Sequence, residues 1–219
     1  MSVEFHFDFG SPNAYLSHLV ITGIEERTGA TFEYVPVLLG GVFKATNNKS
    51  PAESLAGILN KPKYAQRETE RFLEKHNITN YARNPWFPVN TLQIMRGACY
   101  ASKAGIFQAY VDAVYQHMWA DPKKMDEPDV IREALSSSGL PADDIMQGMG
   151  DPAVKQMLIE NTNRSVEMGT FGSPTFYVAG DIYFGKDSLG GVEEAIVACL
   201  LYTSPSPRDA TLSRKPASA

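Results

Sequence analysis

The stretch FDFGSPNAYL, residues 7–16, runs a strand-like string into Ser-Pro and then into a helical pattern. Proline suits the first helical position because its missing N–H has no intrahelical partner to lose, so Pro12 there makes Ser11 the N-cap. A helix N-terminus directly after a buried strand also presents free N–H groups and partial positive charge, which together form a ready anion site. Two readings of Ser11 follow, a helix cap and a hydroxyl beside an anion site.

Outward from this point the pattern is regular. VEFHFDF alternates aromatic and β-branched with polar residues and predicts a strand over 3–9. Ala14, Tyr15, Leu19, Val20 and Ile24 recur at helical spacing from Pro12 to about Thr28, and Gly29 closes the helix. TFEYVPV at 31–37 predicts a second strand, completing a β-α-β unit whose crossover makes the two strands parallel. Helical patterns then fill 51–58, 62–76, 90–104, 106–120, 127–138, 141–148 and 151–168. SPTFYVAGDIYFG returns to strands, with Gly180-Asp181 as a hairpin signal, and a last helix is expected from Ser188 to Ala198. The expected class is α/β, a two-part core interrupted by a helical insertion, because neither strand pair buries both faces alone.

Composition narrows the function. A chain of 219 residues suits one domain or one domain with a large insertion, and 43% hydrophobic with 21% charged residues is ordinary for a globular protein. The net charge of −5, with no basic stripe, argues against nucleic acid as the main partner. No leader-like N-terminus or long apolar run is seen, so a cytoplasmic protein without a membrane partner is expected. Cys99 and Cys199 form no C-x-x-C pair, and Cys99 in the apolar run IMRGACYA reads as a small core residue. His6, His18, His76 and His117 are scattered without ligand spacing, so no metal is expected.

The order β-α-β, helices, β-β-α, with Ser-Pro at the first helix and Ser-Pro before the hairpin, resembles the thioredoxin arrangement. Over residues 1–198 the sequence is similar to the DsbA-like branch, and within it to the 2-hydroxychromene-2-carboxylate isomerases and kappa-class glutathione transferases. The resemblance implies a thioredoxin-like domain from 1–43 and 151–198 around an inserted helical domain at 44–150. Ser11-Pro12-Asn13-Ala14 stands where disulfide-handling relatives carry C-x-x-C, and with both sulfurs absent this site cannot perform dithiol exchange. In the family the anion at this helix is the glutathione thiolate, which a helix dipole and a hydroxyl donor stabilise. Ser11 is thus the expected catalytic residue, and glutathione the expected cofactor.

Three further motifs carry the resemblance. VLLGGVFKATNNKSP followed by NKPKY resembles the stretch that supplies an Asn and a Lys to glutathione, here Asn48, with Asn47 beside it, and Lys61. On local grounds these read as a polar turn and a solvated lysine. FGSPTFYV matches the cis-proline loop, implying that the backbone of Ser173, before Pro174, pairs with the cysteinyl backbone of glutathione like an added strand. YFGKDSL is similar to a stretch holding the γ-glutamyl arm, which falls on Asp187 and Ser188, with Ser188 standing where Arg is frequent. Asp187 is also an ordinary N-cap candidate.

NPWFPVNTLQIMR at 84–96 resembles the border of the second-substrate cleft, giving Trp86, Phe87 and Asn90 as a wall for a planar aromatic acid. The same residues read locally as a loop and helix start. The resemblance implies a glutathione-dependent cis-trans isomerase of aromatic oxo acids and a homodimer. A kappa-like transferase or peroxidase acting on small electrophiles, or a non-catalytic thiol-binding module, are the alternatives. Residues 199–219 pile up Ser, Pro and Arg and read either as translated sequencing-adapter bases or as a basic disordered tail.

Overall fold

The computed structural model describes residues 1–55 and 57–203. Its sheet has four strands, β1 (Ser2–Phe7), β2 (Thr31–Pro36), β3 (Thr175–Val178) and β4 (Asp181–Phe184), in the order β2-β1-β3-β4. β1 pairs parallel with β2 and antiparallel with β3, with Phe5 opposite both Tyr34 and Phe176. This is the mixed sheet expected from the β-α-β unit and the hairpin. β1 is covered on both sides, as its alternation requires. Phe5 stacks on Phe176 at 5.1 Å and Phe7 meets Tyr115, while His6 points the other way, its Nδ1 2.7 Å from the Ser165 hydroxyl.

α1 (Pro12–Thr28) follows β1 and ends at Gly29, whose φ of 69° is the left-handed conformation that favours glycine. Between β2 and β3 come α2 (Leu39–Thr46), α3 (Pro51–Ser54), α4 (Lys61–His76), α5 (Leu92–Ala104), α6 (Phe107–Tyr115), α7 (Pro128–Ser137), α8 (Ala142–Gly148) and α9 (Pro152–Glu167). α10 (Leu189–Thr203) closes the chain after a 3-10 turn at Lys186–Ser188. α1 packs against α10, which lies over β3 and β4, while α9 packs on β2 with α2 and α5. One apolar cluster runs from Phe5, Phe7 and Phe9 through Tyr115 and Trp119 to Ile131 and Leu158, so sheet and helical block share a core.

Several boundaries differ from those expected. The strand ends at Phe7 rather than residue 9, because the Asp8 carboxylate turns back to accept from the Gly10 N–H at 2.8 Å. The helix expected over 51–58 is the short α3, and the one expected over 106–120 changes at Gln116 into a π-helical turn ending at Ala120. α2 starts at Leu39, before the domain boundary expected at residue 44. α10 runs past residue 198 to Thr203, correcting a tail that begins at Cys199. Val192, Ile196 and Leu200 recur every fourth residue, and Leu200 packs against the core. The remainder of the expected tail, 204–219, lies outside the described residues.

Candidate active site

Ser11 caps α1 in the expected way. Its extended backbone (φ −92°, ψ 112°) lets the hydroxyl accept from the Ala14 N–H at 3.2 Å. The same hydroxyl donates to the carbonyl of Ser173 at 2.8 Å. A serine hydroxyl has a single proton, so this proton is committed to the 173–174 loop. Ser11 is 5% exposed, and Ser173 is also buried. The carbonyl of Ser173, expected to be open, is therefore occupied by Ser11, and the Ser173 hydroxyl accepts from the Asp8 N–H at 3.2 Å. The Ser173–Pro174 and Phe87–Pro88 bonds are cis.

Asp8 ties the surroundings together, and sequence reasoning missed it. One carboxyl oxygen accepts from Gly10 N–H and the other from Leu39 N–H at 2.7 Å, the first amide of α2, and Thr91 bonds it as well. Burial pushes this carboxyl above its ordinary range, and the Leu39, Gly10 and Thr91 donors oppose that shift. The only signal in the sequence is an acid placed between two aromatics, Phe7 and Phe9. The loop is further pinned by Trp119, whose Nε1 donates to the Phe9 carbonyl at 2.7 Å. Gly10 sits in close approach, since a Cβ there would lie 3.1 Å from the Thr91 methyl, which would have to give by a few tenths of an ångström. No acidic residue occupies the first turn of α1, and the nearby carboxyl just before it is that of Asp8.

The other sequence candidates fall at unequal distances from this centre. Asn48 is exposed, and its amide donates to the Phe171 carbonyl at 2.8 Å, joining the end of α2 to the loop that carries Ser173. Asn47 instead takes the left-handed position that ends α2. Lys61 is the exposed first residue of α4, and no bond among the described residues joins it to Ser11 or Ser173. Asp187 is exposed and its carboxylate takes the buried Lys186 ammonium at 2.5 Å. The Ser188 hydroxyl donates to the Gly185 carbonyl at 2.7 Å.

On the opposite flank, Trp86 is 47% exposed, while Phe87 packs at 6.0 Å on Trp119. Asn90 accepts from Leu92 N–H at 3.1 Å and so serves the start of α5. Thr91 brings this segment to Asp8. Of the three, Trp86 alone leaves a large apolar surface open. Cys99 is buried, its thiol pushed up to about 12 by desolvation, which removes it as a nucleophile. Among the described residues no cluster of three or more His, Cys, Asp or Glu could hold a metal ion, and no helix is long and apolar enough to cross a membrane.

The family model described as the DSBA-like thioredoxin domain matches residues 2–197. The chain belongs to this family. Among curated proteins it is 26% identical over 204 residues to a 2-hydroxychromene-2-carboxylate isomerase of Sphingobium xenophagum, covering 90% of this chain and 98% of that one. It is 24% identical over 196 residues to glutathione S-transferase kappa 1 of Caenorhabditis elegans, covering 84% and 86%. A solved structure of a 2-hydroxychromene-2-carboxylate isomerase superposes with a TM-score of 0.79 at 23% identity, over 98% of this chain and 100% of that chain. A probable DsbA oxidoreductase from Streptomyces coelicolor gives 0.66 at 16% identity, over 94% and 92%. The structural likenesses establish the fold. Ser11 carries a hydroxyl and no sulfur, so the N-terminus of α1 cannot itself perform dithiol exchange.

Proposed function

We propose that the protein is a glutathione-dependent isomerase of aromatic oxo acids of the 2-hydroxychromene-2-carboxylate type. The observation that carries the reading is the Ser11 hydroxyl, held at the N-terminus of α1 and in contact with the Ser173 carbonyl. The site fits an anionic sulfur, since it offers a hydroxyl donor and a helix N-terminus with no acid in its first turn. Glutathione held there would supply a thiolate nucleophile for covalent catalysis on a conjugated enone.

The chain's own residues bind and orient. Ser11 would turn its proton from the Ser173 carbonyl toward the thiolate, and a donor on the ligand would have to take over that carbonyl so that no buried acceptor is left unpaired. Asn48 holds the loop through Phe171, and Asp187 and Ser188 receive the γ-glutamyl end once Asp187 is released from Lys186. Lys61, exposed at the start of α4, would meet the glycyl carboxylate as a point charge. Trp86, with Phe87 and Asn90 behind it, forms the wall against which the aromatic ring is positioned. A homodimer and a cytoplasmic location, where glutathione is abundant, belong to the same proposal.

The test is incubation of a 2-hydroxychromene-2-carboxylate with the protein, with and without glutathione, followed by absorbance and mass. Isomerisation only with glutathione and no change of mass supports the reading. A stable glutathione adduct points instead to a kappa-like transferase, in keeping with the Caenorhabditis elegans relative. No conversion with either leaves a thiol-binding module.

A further inference from the structure

A groove lies between α1, α4 and the start of α10, away from Ser11. Phe72 is the buried residue of α4, and with Ile24 of α1 and Leu189 of α10 it forms the apolar floor of a groove of about 330 Å³. Val20, on the groove wall, lies nine residues beyond Ser11 along a helix that rises about 1.5 Å per residue, so the groove opens roughly 14 Å from the cap. It meets the proposed cofactor site at Asp187.

The rim is charged from all three elements, and most of it is paired. Arg27 of α1 holds Glu193 of α10 with bonds of 2.7 and 3.0 Å, and Arg71 holds Glu68 within α4. Lys186 holds Asp187, with its ammonium 4.8 Å over the Phe72 ring. These pairs account for every carboxylate on the groove wall. Lys75 and His76 remain, and among the described residues no carboxylate pairs with either. The balance of the groove is therefore positive by the Lys75 charge, and more so when His76 is protonated. The imidazole senses that balance: burial first, and then the Lys75, Arg27 and Lys186 charges, hold His76 below its ordinary range.

We propose that this groove is a second ligand site, taking an organic anion with a flat apolar body on Phe72, Ile24 and Leu189 and a single carboxylate at Lys75 and His76. One unpaired cation beside an imidazole matches one negative charge, and an apolar floor matches a ring better than a hydrated inorganic ion. The inference does not rest on Ser11, and its charge count is that of the glutathione-free chain, in which Lys186 holds Asp187.

The probe is 2-naphthoate, with 2-naphthalenemethanol as its uncharged counterpart, added to the full chain while the His76 ring is titrated by NMR. Saturating naphthoate raises the His76 pKa, because an anion replaces an unbalanced positive field. Lys75→Gln weakens naphthoate about fivefold, the scale of one partly exposed ion pair, and the alcohol binds the wild type more weakly by a similar factor. His76→Gln removes the titration and leaves the rest of the spectrum folded. An unchanged His76 pKa, equal affinity in Lys75→Gln, or an alcohol that binds as tightly overturns the proposal. Displacement of naphthoate by glutathione in a Lys75-independent way assigns the probe to the Ser11 cleft and overturns it as well. A protein inactive with glutathione that still shows the His76 shift separates the two readings.

Discussion

The Ser11 hydroxyl donates to the carbonyl of Ser173 at 2.8 Å across 162 residues of sequence. That bond fixes the helix N-terminus against the 173–174 loop and also uses the single proton of the Ser11 hydroxyl. A ligand that needs this proton must offer the Ser173 carbonyl a donor in exchange, since an orphaned buried carbonyl costs about 1–3 kcal/mol. A peptide thiol satisfies both conditions at once. A simple thiol without a neighbouring N–H does not, and it should be a poor substitute for glutathione.

Asp8 gives the site a measurable pH signature. Its carboxyl is raised by burial above the unfolded value of about 3.9, so between those two pKa values the folded chain holds a proton that the unfolded chain has lost. Stability from this group is present below the unfolded pKa and is lost as pH rises through the folded one. Asp8→Asn, measured by urea unfolding across pH, removes that slope, and the wild-type advantage over the variant shrinks as pH rises. An advantage that grows with pH would mean the carboxylate is stabilised rather than penalised.

Trp86 and Phe87 separate recognition from folding. Trp86 is half exposed and Phe87 packs on Trp119, so Trp86→Ala should raise KM for the aromatic acid several-fold while stability changes by less than about 0.5 kcal/mol. Phe87→Ala should instead cost about 1–2 kcal/mol in urea unfolding. An unchanged KM in Trp86→Ala would take this ring away from the substrate.

Gly97 lies inside α5, where helix propensity alone favours alanine by about 1 kcal/mol. Packing reverses the sign. A Cβ at 97 would lie 2.0 Å from the Tyr110 oxygen, and Tyr110 is fixed, fully buried and bonded to the Ile94 carbonyl at 2.8 Å. Gly97→Ala is expected to lose about 2–3 kcal/mol, and Tyr110→Phe in that background to recover part of it. A stabilised Gly97→Ala would contradict the packing of α5 on α6.

The last turns of α10 carry their own test. A chain ending at Ala198 lacks Leu200, and should unfold about 1 kcal/mol more easily than one ending at Thr203, given partial burial of one leucine. Identical thermal midpoints would show that Leu200 contributes nothing to the core.

Much of the frame was legible because its determinants are local. Pro12 after Ser11 and Gly29 after α1 each fix their own turn, the hairpin turns at Ala179-Gly180, one residue before the expected Gly180-Asp181, and the order of elements then yields one mixed sheet. What escaped was made by tertiary contact. Asp8 draws its donors from Leu39 and Thr91, and the occupied carbonyl of Ser173 depends on a hydroxyl at the other end of the chain. α10 ends beyond the expected residue 198 because the stripe Val192, Ile196, Leu200 continues its apolar face up to the Ser and Pro residues. Lys61 and Asp187 were read by resemblance, and here one is exposed at a helix start while the other holds Lys186.

The most direct test of the account is the thiol pKa of bound glutathione, followed by thiolate absorbance in the wild type and in Ser11→Ala. A charge-assisted hydrogen bond from the Ser11 hydroxyl contributes about 1.5–3 kcal/mol, so its loss should raise that pKa by roughly one to two units. Turnover at neutral pH should fall about ten- to a hundredfold, with a smaller change in glutathione affinity. A bound thiol whose pKa is the same in both proteins would contradict the account and leave Ser11 as the cap of α1.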